Sequence, residues 1–284
     1  MAQIIDGKAV AAFVKNREKD KVADLNNQGI KVSLAVILVG NDPASCVYVA
    51  NKRKDCDELG INSIEYALPE ETTMDELLAL IDKLNKDKDI NGILCQLPLP
   101  RHLDETQVLE AISPLKDVDA FHPENVGRIM MGKYEFLPCT PAGIMEMLSY
   151  YNIETSGKNC VVIGRSNIVG KPMAMLMLHS NSTVTICHSR TKNLKEVCNG
   201  ADILISAVGK ADFVTADMVK DGAVVIDVGM NRNGAGKLCG DVDFESVKEK
   251  ASMITPVPGG VGPMTRAMLM CNTVTAALKQ NGLK

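Results

Sequence analysis

Seven short apolar runs alternate with amphipathic stretches along most of this chain. That alternation confines it to βα units around parallel sheets rather than a sandwich or a helical bundle. The runs cover residues 32–39, 64–68, 92–95, 160–163, 183–187, 202–206 and 223–228. All are short and are read as apolar on both faces, so each is expected to be a buried parallel strand. The helices between them carry explicit signals. Thr73 and Glu76 have capping-box spacing, and Pro43, Pro141 and Pro263 suit first helical turns. A first helix is expected from Asp6 toward Gly29, with Val10, Val14 and Leu25 on its apolar side.

A loop-like stretch, residues 121–138, separates three early βα units from a second series that begins at Cys160. A helix over 140–151 is expected to link the two, and the final amphipathic stretch, 263–280, to return to the first domain. The chain of 284 residues suits two domains, divided as 1–139 plus 268–284 and 140–267. A net charge of −4 lacks the basic excess of a nucleic-acid binder. No apolar stretch reaches the roughly 18 residues of a membrane span, so neither nucleic acid nor membrane is an expected partner. The nine cysteines include no C-x-x-C and no zinc-like pairing, and read as buried thiols of a reducing cytoplasm. His102, His122, His179 and His188 share no metal-ligand spacing, so no metal is expected.

The run at 160–163 is followed by Gly164-Arg165-Ser166-Asn167-Ile168-Val169-Gly170 and then a helical run of Met, Ala and Leu. Glycines at a strand-to-helix turn let backbone N–H groups and a helix N-terminus approach a phosphate. A tight βα turn that holds nothing fits the same pattern. The next strand ends in His188-Ser189-Arg190, where an NAD site would place a carboxylate for the ribose 2′-hydroxyl. A hydroxyl and a guanidinium there, with Arg165 in the loop, suit a 2′-phosphate and favour NADP over NAD; ordinary solvated charges are the competing reading.

In the first domain a helix from Pro43 puts Tyr48 and Lys52 four residues apart on one face. Gln96 ends the run at 92–95, which fixes its amide at the ligand-binding edge of a parallel sheet. Asp117 and Asp119 lie near the domain break, where an acid meets a ligand's ring nitrogens or simply solvates a turn; the latter suits Asp117 better. The segment from Pro258 to Thr265 lacks the Gly-Lys-Ser/Thr ending of a P-loop, so a nucleoside triphosphate is not expected. Its glycines and prolines suit a rigid wall beside a ligand.

Together these segments resemble the bifunctional methylenetetrahydrofolate dehydrogenase/methenyltetrahydrofolate cyclohydrolase family. The resemblance is carried by Tyr48-Val49-x-x-Lys52-x-Lys54, Gln96-Leu97-Pro98-Leu99-Pro100, Lys116-Asp117-Val118-Asp119, Pro138-Cys139-Thr140-Pro141-x-Gly143, Gly164-Arg165-Ser166-x-x-Val169-Gly170-x-Pro172 and Pro258 through Thr265. These occur in family order across nearly the whole chain. The resemblance implies an α/β fold of two three-layer domains with a cleft between them, the C-terminal one a Rossmann-type NADP-binding domain. It also implies a homodimer formed through the cofactor domains. Its substrates would be tetrahydrofolate derivatives: NADP-dependent oxidation of 5,10-methylenetetrahydrofolate, then hydrolysis of the methenyl product to 10-formyltetrahydrofolate.

By position, the resemblance makes Lys52 the catalytic residue, Gln96 its orienting partner, Tyr48 the ring that stacks on the aminobenzoyl group, and Asp119 the acid that holds the pterin. Leu97, Pro98, Pro258, Gly259 and Gly260 would line the folate, and Gly164, Arg165, Ser166, Val169, Gly170, Ser189 and Arg190 would bind the cofactor. A lysine shuttles protons near neutral pH when burial or a neighbouring cation lowers its pKa, a role open to Lys54. One position departs from the family, which commonly has glycine where this chain has Ala120. A dehydrogenase without the hydrolase, a folate- or NADP-binding module without turnover, and another two-domain NADP dehydrogenase acting on a small carboxylate are the competing readings. The joint presence of Lys52 and Gln96 argues against the first.

Overall fold

The computed structural model describes residues 1–283. In chain order the elements are β1 (Gln3–Ile4), α1 (Gly7–Asn27), β2 (Ser33–Val39), α2 (Pro43–Leu59), β3 (Asn62–Leu68), α3 (Met74–Lys86), β4 (Gly92–Cys95), α4 (Glu105–Ala111), α5 (Pro123–Met130) and α6 (Cys139–Tyr150). They continue with β5 (Asn159–Ile163), α7 (Gly170–His179), β6 (Thr183–Cys187), α8 (Leu194–Asn199), β7 (Ile203–Ser206), β8 (Val224–Asp227), β9 (Asn231–Arg232), β10 (Leu238–Cys239), α9 (Phe244–Val247), β11 (Met253–Ile254) and α10 (Val261–Gln280). The chain forms two compact units, one built from Phe13–Cys139 with the segment from Arg266 onward, the other from Met1–Ala12 with Thr140–Thr265.

The first unit is organised by a three-stranded parallel sheet in the order β3-β2-β4. Its central strand, SLAVILV, is buried at all seven positions, as a strand covered on both faces must be. Ala35, Ile37 and Val39 on one face pack with Leu77, Ile81 and Leu84 of α3 and Val108 of α4. Helix α3 starts where the spacing predicts: Thr73 Oγ1 accepts from Glu76 N–H while Glu76 Oε2 accepts from Thr73 N–H. Asn272 of α10 donates through Nδ2 to Val118 O at 2.7 Å and Leu137 O at 2.8 Å, which ties the C-terminal helix to this unit.

The second unit holds a six-stranded sheet in the order β1-β11-β8-β7-β5-β6, parallel throughout. Its core joins Val161, Ile163, Leu204 and Val225 of the strands to Cys198, Val219 and Val247. Beside it, β9 and β10 form a short antiparallel hairpin.

Four expectations need correction. Strands β3 and β6 are not buried on both faces: each lies at a sheet edge, and most of their residues are half-buried or exposed. Residues 121–138 are not all loop, because α5 forms inside them, with the His122 side chain accepting from Glu124 N–H, Pro123 in the first turn and an Arg128–Glu124 ion pair across one turn. Residues 1–12 sit in the second unit rather than the first, because β1 pairs in parallel with β11. At two residues each, β1 and β11 are too short to leave a periodic pattern.

The buried Leu77, Ile81 and Leu84 are worth roughly 1.5–3 kcal/mol each, against about 1 kcal/mol for the cap of the same helix. Thr73→Ala is therefore expected to lower stability by about 1 kcal/mol without unfolding α3, read as a lower urea midpoint with unchanged helical circular dichroism.

Candidate functional site

In the first unit, β2 lies in the middle of its sheet, and the chain adds β3 on one side and β4 on the other. The reversal opens a crevice at the carboxyl ends of β2 and β4. Asp42 leads out of β2 and caps α2, its carboxylate accepting from Ser45 N–H. This places Tyr48 and Lys52 on successive turns. Gln96 follows β4 and is held by its own N–H donating to Ile37 O. Helix α2 and the loop after β4 meet through Lys52 Nζ, which donates to Gln96 Oε1 at 2.8 Å. Gln96 Nε2 donates to Leu97 O at 2.6 Å, so the amide presents its oxygen to the lysine. Leu97 leans on the sheet core and Pro98 is exposed.

Asp119 completes the cluster. Its Oδ1 accepts from the Cys139 thiol at 3.4 Å, and the same sulfur lies 3.6 Å from Val118 O. Burial pushes the Asp119 carboxyl up, opposed by the positive charge of Lys52, and pushes Lys52 below an ordinary lysine, opposed by Asp119. Both groups are thus drawn toward their neutral forms. The Cys139 thiol is driven well above its ordinary value by burial and the Asp119 charge, so it stays protonated and donates. The depression of Lys52 comes from burial and not from Lys54, which is exposed. Burial also raises the Tyr48 phenol, with Arg266 pulling the other way.

The Lys116-Asp117-Val118-Asp119 motif divides its labour. Lys116 Nζ donates to the Leu84 and Asp87 carbonyls at the end of α3, and Asp117 accepts from His122 N–H and Asn125 Nδ2. Asp119 alone of the four interacts with Lys52. Sequence reasoning gave no role to Asp55 or Arg266. Buried Asp55 pairs with Lys15 at 3.2 Å and with Arg266 at 3.2 Å, one turn from Lys52. Its place three residues beyond Lys52 was a readable signal; Arg266, remote in sequence, had none.

The second unit has its own reversal, since β5 is followed by β6 on one side and β7 on the other. The Gly164–Gly170 loop leaves the carboxyl end of β5. Gly164 has φ +130°, and a Cβ there would sit 2.4 Å from Ala207 O; one on Gly170 would sit 2.3 Å from Gly164 O. Both positions therefore require glycine, and the turn they make is narrow enough for a phosphate to reach backbone. Ser166 Oγ accepts from Val169 N–H and Gly170 N–H and so orders the start of α7. Arg165, Ser189 and Arg190 are exposed, and among the described residues neither guanidinium is held in an ion pair. Arg190 N–H donates to His188 Nδ1, which fixes the turn after β6. This donor set fits a dinucleotide with a phosphorylated ribose. Pro258, Gly259 and Gly260 belong to this unit, not to the Lys52 cluster: a Cβ on Gly7 would lie 1.8 Å from Gly260 O. Among the described residues, no group of three or more His, Cys, Asp or Glu is placed to hold a metal.

These features define a parallel α/β protein with a glycine loop at one sheet reversal and a lysine–amide–carboxylate cluster at the other. The family model for the tetrahydrofolate dehydrogenase/cyclohydrolase catalytic domain matches residues 5–119, and that for the NAD(P)-binding domain of the same enzymes matches 138–281. The bifunctional protein FolD of Agathobacter rectalis is 63% identical over 276 residues, covering 97% of this chain and 99% of that one. The crystal structure of the bifunctional enzyme FolD, a methylenetetrahydrofolate dehydrogenase/cyclohydrolase, from Campylobacter jejuni is 52% identical and superposes over 100% of both chains with a TM-score of 0.96. A Trypanosoma brucei methylenetetrahydrofolate dehydrogenase-cyclohydrolase complexed with NADP and inhibitor is 36% identical, with a TM-score of 0.93 over 98% of both chains. The chain belongs to the tetrahydrofolate dehydrogenase/cyclohydrolase family.

Ala120, the departure from the family's glycine, is fully buried and adopts φ +57°, in the left-handed region. Glycine there would relieve about 1–2 kcal/mol of strain. It would give up about 0.8 kcal/mol of buried methyl and about 0.4–1 kcal/mol through the looser unfolded chain. Ala120→Gly is accordingly expected to leave stability within about 1 kcal/mol of the starting protein, measured by chemical denaturation.

Proposed function

We propose that this chain catalyses both reactions of its family, oxidising 5,10-methylenetetrahydrofolate with NADP and hydrolysing the methenyl product to 10-formyltetrahydrofolate. The observation that carries the reading is the Lys52–Gln96 hydrogen bond at 2.8 Å beside Asp119. NADP, when bound, supplies the acceptor for the hydride released from the methylene carbon. The Gly164–Gly170 loop would hold its pyrophosphate, and Arg165, Ser189 and Arg190 would hold the 2′-phosphate. The unit of 140–265 with residues 1–12 is the cofactor domain, and the unit of 13–139 with its C-terminal helix binds the folate.

Tyr48 stacks on the aminobenzoyl ring and Asp119 anchors the pterin, its raised pKa suiting a carboxyl that shares a proton with a ring nitrogen. Leu97 and Pro98 complete the folate wall. Oxidation leaves a cationic amidine carbon. Lys52 then accepts the proton of the water that attacks this carbon. The tetrahedral carbinolamine collapses: its hydroxyl proton leaves as the formyl C=O forms, its bond to N5 breaks, N5 takes up a proton and the formyl group stays on N10. Gln96 holds the lysine in place without adding a charge.

The exposed edge strand β6, with Ile186 open to solvent, and the exposed Leu178 of the preceding α7 support a homodimer formed through the cofactor units. Among the described residues no helix is long and apolar enough to cross a membrane. Among the described residues no two cysteines form a disulfide, which supports a cytoplasmic location.

One cuvette tests both activities. With 5,10-methylenetetrahydrofolate and NADP, reduced cofactor is expected to appear without lasting methenyl absorbance. Methenyl decay at the uncatalysed rate would leave a dehydrogenase alone, and activity with NAD but not NADP would remove the roles of Arg165 and Arg190. Lys52→Met is expected to abolish hydrolysis and spare part of the oxidation. In the unaltered protein the hydrolytic rate should rise with pH as the amine loses its proton, with a midpoint below that of a free lysine; unimpaired hydrolysis in the variant would exclude Lys52 from the mechanism.

A further inference from the structure

The reaction above makes no use of Asp241, a fully buried carboxylate beside the carboxyl end of β7. Its Oδ2 accepts from Val208 N–H at 2.7 Å, Gly209 N–H at 3.3 Å and the Ser206 hydroxyl at 3.2 Å. Its Oδ1 accepts from Lys210 N–H and Asn231 Nδ2, each at 2.9 Å. The five donors replace the hydration that the carboxylate loses on burial. A second buried carboxylate holds the first: Asp227 accepts from Asp241 N–H and Val242 N–H, each at 2.9 Å. Asp227 thus fixes the backbone of Asp241, and the side chain of Asp241 gathers residues 206–210.

Those residues face the glycine loop across the sheet reversal. Strands β5 and β7 are neighbours, Ala207 N–H donates to Ile163 O at 2.8 Å, and Ala207 O is the atom that leaves no room for a side chain on Gly164. The position of the 206–210 segment therefore sets the width of the crevice above β5.

We propose that Asp241 is a positioning residue for the dinucleotide: by holding residues 206–210 against Gly164 it sets the affinity for NADP without touching the reacting atoms. The proposal rests on the reading of the Gly164–Gly170 loop as the NADP site. Asp241→Asn turns an amide NH2 toward backbone donors, whereas Asn231→Ala removes one donor and leaves the carboxylate and its backbone partners in place.

For the unaltered protein and both variants, NADP binding is measured by calorimetry, together with the KM values for NADP and for methylenetetrahydrofolate. Cyclohydrolase turnover of methenyltetrahydrofolate is followed without NADP. The expected result is an NADP Kd raised about tenfold or more in Asp241→Asn and about threefold in Asn231→Ala. The KM for NADP follows, while folate KM and hydrolysis stay within about twofold. An unchanged NADP Kd in both variants overturns the proposal. So does a parallel loss of hydrolysis, oxidation and thermal midpoint in Asp241→Asn with Asn231→Ala unaffected, which would give Asp241 a role in folding alone. Failure of the unaltered protein to bind NADP is a separate outcome that removes the dinucleotide reading itself and the positioning role with it.

Discussion

When a chain lays down a parallel strand and then adds the next two strands on opposite sides of it, the connections leave in opposite directions and a crevice opens at the carboxyl ends. Both units are built this way, from β2 with β3 and β4 and from β5 with β6 and β7. Everything chemically distinctive follows those carboxyl ends. Lys52 comes from the helix and Gln96 from the loop that flank the first reversal, and the Gly164 loop and residues 206–210 flank the second. The central strands are apolar on both faces so that helices can cover them, and this leaves only the strand ends free to carry polar groups.

The buried carboxylates show how differently one functional group behaves in different surroundings. Asp55 is paired with Lys15 and Arg266, and Asp241 is enclosed by backbone and side-chain donors. Asp227 also accepts backbone N–H groups, yet burial and the neighbouring charge of Asp241 push it up to about 6. Asp119 has a weakly donating thiol and the charge of Lys52, and burial raises it as well. Asp55, Asp227 and Asp241 hold structure, whereas Asp119 alone of the four stands beside the lysine of the candidate site. That is the pattern expected where proton position matters.

The central strands and most helices were legible because their signals are local: β-branched runs, a capping box, a proline in a first turn. The edge character of β3 and β6 was not, because strand order is a property of the whole sheet. Likewise β1 and β11 exist through pairing with each other and β8, not through any pattern of their own. Helix α5 was legible in His122-Pro123-Glu124 and Arg128 but was masked by the polar, glycine-containing run around it. In the candidate site, Tyr48 and Lys52 shared a readable helix face, and family motifs singled out Gln96 and Asp119. Cys139 and Arg266 reach the same cluster from distant segments, and only folding brings them there.

Oxidation and hydrolysis ask different things of the same protein. Removal of a hydride from the methylene carbon needs reactants held in place, and no protein group has to change its protonation. Hydrolysis needs a group that takes a proton from water near neutral pH, which an ordinary lysine does poorly. Two routes lower a lysine's pKa, a neighbouring cation or burial. They differ in robustness, because salt screens an exposed cation and has much less effect on a desolvated amine. In this chain the depression is due to burial, with Lys54 exposed and contributing nothing to it. The basicity of Lys52 is consequently set by how α2 packs beside the Gln96 loop, so the packing that forms the first unit also prepares its proton acceptor.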